Sequence, residues 1–199
     1  MTANTPEIIV CACGKSSRFS MNKLLFQFEN GNSVLHTTLS NIVNNTNYRC
    51  TVIIPPQQPE LLQLVEQFGA TALVMQPASN GLGETIAFAV NNLHHAAGWL
   101  ICLADMPFIP AEIYNKICEL THLNKIIAPS YKNRRGHPVY FPKRFYPQLI
   151  SLSGDKGASS IINRFENDQK LFPVSCQAVV EDIDVMSDLD NLSAKYLKS

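Results

Sequence analysis

No C-x-x-C pair occurs in this chain of 199 residues, and that absence excludes the commonest structural zinc sites. Six cysteines are present (Cys11, Cys13, Cys50, Cys102, Cys118 and Cys176), four of them inside or beside apolar strand-like runs. They read as reduced thiols, with Cys11 and Cys13 on the same side of the first strand. No apolar run approaches the roughly 20 residues of a membrane span. The polar start MTANTPE lacks the basic-then-apolar layout of a secretory leader, so a cytoplasmic protein is expected. Excess charge of either sign is missing too, since 16 basic residues balance 16 acidic ones. Neutrality and a single Trp supply neither a basic stripe nor an evident stacking platform, which argues against nucleic acid and against an anionic membrane as partners. There is no convincing Ser-His-Asp arrangement, internal repeat, low-complexity tract or dividing linker. The expectation is one globular domain over 1–199, with 46% apolar residues to fill its core.

What is present is an alternation. Short apolar runs at 8–13, 50–54, 71–75, 99–103 and 125–129 are each separated from the next by a segment with helical spacing. Ser33 caps a helix whose Val34, Leu35, Leu39, Ile42 and Val43 share one face. Leu61, Leu62, Leu64, Val65 and Phe68 mark a second helix, 86–93 a third, and Ile113, Ile117 and Leu120 a fourth that starts near Pro110. This rhythm predicts an α/β protein: a mainly parallel sheet with helices covering it. After Pro129 the order changes. GHPVYF reads as a strand, SGDKGASSIINRF as a loop opening a helix, and LFPV and AVVEDI as late strands before a helix near 187–197. A mixed sheet with one strand running against the rest follows.

The stretch IIVCACGKSSRFSMNK, residues 8–23, carries the strongest chemical signal. A strand breaks into a small, hydroxyl-rich turn with Gly14 and the cations Lys15, Arg18 and Lys23. Backbone N–H groups that can approach closely, together with positive side chains, suit a polyphosphate. Its place at the carboxyl end of the first strand is where open α/β sheets hold ligands. The same logic puts Asp105, at the end of WLICLA, on the ligand side. A hard carboxylate facing a phosphate-ready turn suits magnesium. Glu181-Asp182-Ile183-Asp184 offers a second carboxylate, Asp184 preferred and Asp182 its rival, the two sharing a face by alternation. Gly81 to Thr85 adds backbone donors and the Thr85 hydroxyl, with Glu84 repelling a phosphate should it point inward. Arg135-Gly136-His137-Pro138 and Gly154-Asp155-Lys156-Gly157-Ala158-Ser159-Ser160 form a candidate site for a second anionic substrate.

In this order the segments resemble the nucleotidyltransferases of molybdenum cofactor biosynthesis, the cytidylyltransferases more than the guanylyltransferases. Ala12-Cys13-Gly14-Lys15-Ser16-Ser17-Arg18-Phe19-Ser20-Met21-Asn22-Lys23 matches the family's A-x-G-x-S-x-R-M-G-x-x-K at the Ala, first Gly, Ser, Arg and Lys positions. Asp105-Met106-Pro107 matches D-M-P, Gly136-His137-Pro138 matches G-H-P, Gly154 to Ala158 matches G-D-x-G-A, and Asp182-Ile183-Asp184 resembles the closing D-I-D. The resemblance implies a three-layer Rossmann-like fold and a magnesium-dependent transfer of a cytidylyl group from CTP to a molybdopterin phosphate. A molybdoenzyme that receives the product is the implied partner.

The site residues it implies fall into groups. Arg18, Lys23 and Asp105 are catalytic. Ala12, Cys13, Gly14, Lys15, Ser16, Ser17, Arg18, Lys23, Gly81 and Thr85 bind nucleotide; His137, Pro138, Gly154, Asp155, Gly157 and Ala158 bind the acceptor. Asp105 and Asp184 hold the metal. Departures stand at Ser20 for Gly, at Ser159 for Arg and in the loop 81–85. At Cys13 the relatives carry Ala (cytidylyl) or Gly (guanylyl), so a side chain there favours the smaller pyrimidine. GTP as donor, another phosphorylated acceptor, and a noncatalytic cofactor carrier are the competing readings.

Overall fold

Ile8, Ile9 and Val10 are sealed from solvent on both sides, so strand β1 (Glu7–Cys11) belongs in the middle of a covered sheet. The computed structural model, which describes residues 5–14, 22–44, 46 and 48–197, places it there. β1 pairs in parallel with β2 (Arg49–Ile54) on one side and β4 (Gly98–Leu103) on the other, and β2 pairs in parallel with β3 (Thr71–Val74). Beyond β4 come β5 (Ile126–Tyr131), β6 (Arg134–Arg135), β7 (Val139–Pro142) and β8 (Gln169–Pro173). The eight-stranded sheet runs β3-β2-β1-β4-β7-β5-β6, with β8 also paired to β5. β7 is antiparallel to both β4 and β5, which is the reversed strand expected from the sequence. The short β6 hairpin partner of β5 was not foreseen.

Two apolar layers flank the sheet. On one face α1 (Val34–Val43), α2 (Pro59–Gln67), α4 (Ala111–Leu120) and α7 (Met186–Tyr196) pack over Ile8, Val10, Val52, Leu100 and Cys102. On the other, α3 (Leu82–Asn92), α5 (Tyr146–Ile150) and α6 (Ser159–Arg164) cover Ile9, Ile53, Trp99, Ile101 and Phe141. Each fully buried Ile or Leu in these layers contributes about 1.5–3 kcal/mol relative to exposure. α1 begins as expected, with the Ser33 hydroxyl accepting the His36 N–H at 3.1 Å. Among the described residues, no helix is long and apolar enough to cross a membrane.

One late element differs from expectation. AVVEDI is not a strand: residues Gln177–Val180 form a 3-10 turn, and residues 181–184 are irregular and outside the sheet. The reason is the destination of its backbone groups. Val179 C=O accepts the His137 N–H at 2.8 Å, and the Ile183 N–H donates to Asp105 C=O at 3.0 Å, so single cross-links replace a ladder. β8 already occupies the parallel edge of β5.

Reversal of β7 has a consequence for position. Val139 lies opposite Ile101, so the residues that lead into β7 sit at the edge where β1 and β4 end. The loops after β1, β2, β3 and β4 and the one before β7 therefore lie at this carboxyl edge.

Candidate active site

Asp105 stands two residues past the end of β4, in a turn held from both sides. Thr38 of α1, wholly buried, donates its hydroxyl to Ala104 C=O at 2.9 Å, and Asn41 Nδ2 donates to Pro107 C=O at 2.9 Å. On the other side the Ile183 N–H binds the Asp105 carbonyl. Ile183 is buried without exposure, which turns the flanking Asp182 and Asp184 outward together. They meet Asp105: oxygens of Asp105, Asp182 and Asp184 lie within 4.8 Å of one another. Asp182 and Asp184 thus share a face, as alternation predicts, although the segment is not a strand. Helix capping falls to a different acid, since the Asp188 carboxylate accepts the N–H groups of Asp184 and Val185 at 2.9 and 2.8 Å.

Into this acidic corner projects Lys23, the first residue of a 3-10 turn, Lys23–Leu25, whose N-cap Asn22 accepts the Leu24 N–H. Its Nζ donates to Asp105 Oδ2 at 2.6 Å and to Ile183 C=O at 2.6 Å, and lies 3.7 Å from Asp184 Oδ1. The Lys23 side chain is 10% exposed, Asp105 22% and Asp184 57%, so the cluster grades from interior to solvent. Burial pushes the Asp182 carboxyl above its usual range, and the neighbouring charges of Asp105 and Asp184 push it further, against the opposing pull of Lys23. Three carboxylates within reach of one point are hard oxygen donors of the kind that hold Mg²⁺ or Mn²⁺.

The loop after β1 is partly described. Ala12 continues the strand direction by donating its N–H to Ile53 C=O at 2.9 Å, and Cys13 Sγ donates to the same oxygen at 3.4 Å. Cys13 is nearly buried, and burial raises its thiol to about 11, so it stays protonated at neutral pH. Gly14 is exposed, and among the described residues nothing lies within 4 Å of where its Cβ would be. Lys15, Ser16, Ser17, Arg18 and Ser20 lie outside the described residues.

Gly81 and Gly83 have an internal reason to be glycine. A Cβ on Gly83 would come within 2.8 Å of Ser153 O and 2.9 Å of Gly154 O, and one on Gly81 would collide with Asp155 and Gly154. The Gly83 N–H donates to Gly154 C=O at 2.8 Å, so the loop before α3 and the G-D-K-G-A loop interlock. The Thr85 hydroxyl is buried and bonded to Ser79 Oγ at 2.9 Å and Gly81 C=O at 3.2 Å. Thr85 sits a full turn inside α3, under the loop it braces and beside the Cys13 thiol. Ser79, which the sequence reading passed over, ties the loop by accepting the Gly81 N–H at 3.0 Å; the S-N-G turn was its only signal. Glu84 does not point inward, because its carboxylate accepts the Asn80 N–H at 3.0 Å.

Between this interlock and β7 lies a cavity of about 60 Å³. Arg135, His137, Lys156 and Ser159 line it with Gly157 and Ala158, over a floor of Ile86, Ile101, Val139 and Phe141. Gly157 is left-handed (φ +53°) with Leu82 against it, and Gly136 leaves no room for a Cβ beside Val179, which fixes the G-H-P turn. Burial lowers His137 to about 4; Asp105 opposes the shift and Arg135 adds to it. Its Nδ1 is buried without a hydrogen-bond partner. Pro138, Gly154 and Asp155 flank the same region, with Pro138 buried and Asp155 exposed.

The signature of the MobA-like NTP transferase domain matches residues 8–170. The chain belongs to this family. Members are nucleotidyltransferases, and the match spans both the loop after β1 and the interlocked pair. The purine catabolism protein PucB of Bacillus subtilis strain 168 is 23% identical over 163 residues, 77% of this chain and 78% of its own length. The probable molybdenum cofactor guanylyltransferase of Thermococcus sibiricus is 25% identical over 152 residues, 75% and 74% of the respective chains. In three dimensions the fold is similar to Rv0371c from Mycobacterium tuberculosis H37Rv in complex with manganese, with a TM-score of 0.78 at 20% identity over 96% and 98% of the chains.

Proposed function

We propose that this MobA-like transferase moves a cytidylyl group from CTP to the phosphate of a molybdopterin-type cofactor, releasing pyrophosphate. The observation that supports it most is the meeting of Lys23, Asp105, Asp182 and Asp184 beyond the carboxyl ends of β1 and β4, with Asp105 close enough to feel the charge state of His137 on the acceptor side. In the proposed reaction an acceptor phosphate oxygen forms a bond to the α-phosphorus of CTP, and the bond from that phosphorus to the bridging oxygen of pyrophosphate breaks. A phosphomonoester with a second pKa of about 6 is already mostly a dianion at pH 7, so no side chain has to remove a proton. The barrier is repulsion between polyanions, which positioning and positive charge lower.

Ala12, Cys13 and Gly14 would present backbone to the nucleotide, and Gly81 would bound its other side. Lys15, Ser16, Ser17 and Arg18 are assigned by motif position. Lys23 would offset triphosphate charge. Asp105 with Asp184, or Asp182, would hold a divalent ion, which when bound supplies positive charge against the reacting phosphate oxygens. His137, kept neutral by burial, would offer its vacant Nδ1 to the acceptor rather than a charge. Pro138, Gly154, Asp155, Gly157 and Ala158 would shape the remainder. The Cys13 side chain supports the pyrimidine; the Thermococcus relative is the reason to keep GTP as the second reading. Pyrophosphate release across the four nucleoside triphosphates, with and without molybdopterin, tests the proposal: CTP with acceptor should be fastest, and equal or faster release with GTP would overturn the base assignment.

A further inference from the structure

We infer that Lys23 is the acidic site's own resident cation, and that a divalent ion and the Lys23 ammonium exclude one another there. The inference rests on the metal reading of Asp105, Asp182 and Asp184 given above. Three carboxylate groups gather within 4.8 Å, and Asp105, the least exposed of them, has its Oδ2 capped by Nζ at 2.6 Å. The same ammonium donates to the Ile183 carbonyl at 2.6 Å and lies 3.7 Å from Asp184 Oδ1. An ammonium at that place neutralises part of the repulsion that three close carboxylates would otherwise feel. A metal ion that took Asp105 Oδ2 as a ligand at about 2.1 Å would put its charge against Nζ, so the lysine has to leave. Lys23 follows directly on the loop that offers itself to a polyphosphate. Departure toward an incoming nucleotide therefore frees the carboxylates, and nucleotide and metal should load together rather than independently. In the nucleotide-free protein the lysine holds the site closed to metal.

Mn²⁺ titration of the nucleotide-free, full-length protein, followed by the electron paramagnetic resonance of free Mn²⁺, reads this directly. Lys23→Gln should bind Mn²⁺ about tenfold more tightly than wild type, or better, by removing a competing charge. Lys23→Arg, which keeps the charge, should stay near wild type. Asp105→Asn should weaken binding in both the wild-type and the Lys23→Gln backgrounds. Equal affinity of wild type and Lys23→Gln, with Asp105→Asn still lowering both, would overturn the inference and leave the metal reading standing. Indifference to Asp105→Asn in every background would sink the metal reading itself. A measurement on wild type alone covers poor folding of the variants: saturating Mn²⁺ should speed amine labelling of Lys23, quantified by mass spectrometry, and an unchanged or slower rate counts against displacement.

Discussion

Lys23 has two roles, and substitution removes both. Removing its charge takes away compensation for three acids and, on the proposed function, the counter-charge to the triphosphate. Lys23→Ala should therefore depress turnover by about 10²-fold or more, the scale of one preorganised electrostatic group. Circular dichroism should show the fold retained; wild-type turnover from a folded Lys23→Ala protein would contradict the assignment. His137 makes a separate prediction through pH. Burial holds it neutral down to about 4 in the folded protein, whereas the unfolded chain takes up a proton below its ordinary 6.5. The unfolded state thus binds more protons in that window, so stability falls as pH drops from 6.5 to 4, by up to about 3 kcal/mol. His137→Gln should lose that dependence. Urea unfolding of both proteins at pH 7 and pH 4.5 checks it, and an equal acid loss in the two would refute the buried neutral state.

Elements decide which glycines matter and why. Gly83 lets α3 close on the loop 153–155, with Ser153 and Gly154 oxygens within 3 Å of any added Cβ. Gly83→Ala should part the interlock and cost about 1–3 kcal/mol of overpacking. Gly14 is the opposite case: a Cβ there meets nothing within 4 Å among the described residues. Gly14→Ala should leave the melting temperature nearly unchanged, within the roughly ±0.5 kcal/mol of a surface change. Its effect should appear in nucleotide affinity measured by calorimetry. A Gly14→Ala protein that binds nucleotide as wild type does would show that close backbone approach at this loop is not needed.

At the scale of the molecule, the parallel sheet was legible because each strand buried on both faces must be a contiguous apolar run, as at Ile8 to Cys11 and Leu100 to Leu103. The reversed β7 was legible as a break in rhythm after Pro129. Asp105 was legible because carboxyl ends of parallel strands converge by topology. The segment holding Asp182 and Asp184 was misread as a strand, since β-branched residues there serve a 3-10 turn and a buried Ile183 that is pinned by long-range backbone bonds invisible to local pattern. The bracing of the loop before α3 by Thr85 and Ser79 was not legible, because a hydroxyl near a helix start serves a cap, a loop brace or a ligand with the same local pattern. The partnership of Lys23 with Asp105, across 82 residues of sequence, was likewise set only by the fold.

All of these readings meet in one assay. Pyrophosphate release from CTP in the presence of molybdopterin and Mg²⁺, compared between wild type and Asp105→Asn, tests whether the corner where β1 and β4 end is a nucleotidyl-transfer site. The account predicts acceptor-dependent release by wild type and a loss of about 10²-fold or more in the variant. No release from any nucleoside triphosphate, or undiminished release by Asp105→Asn, would contradict it.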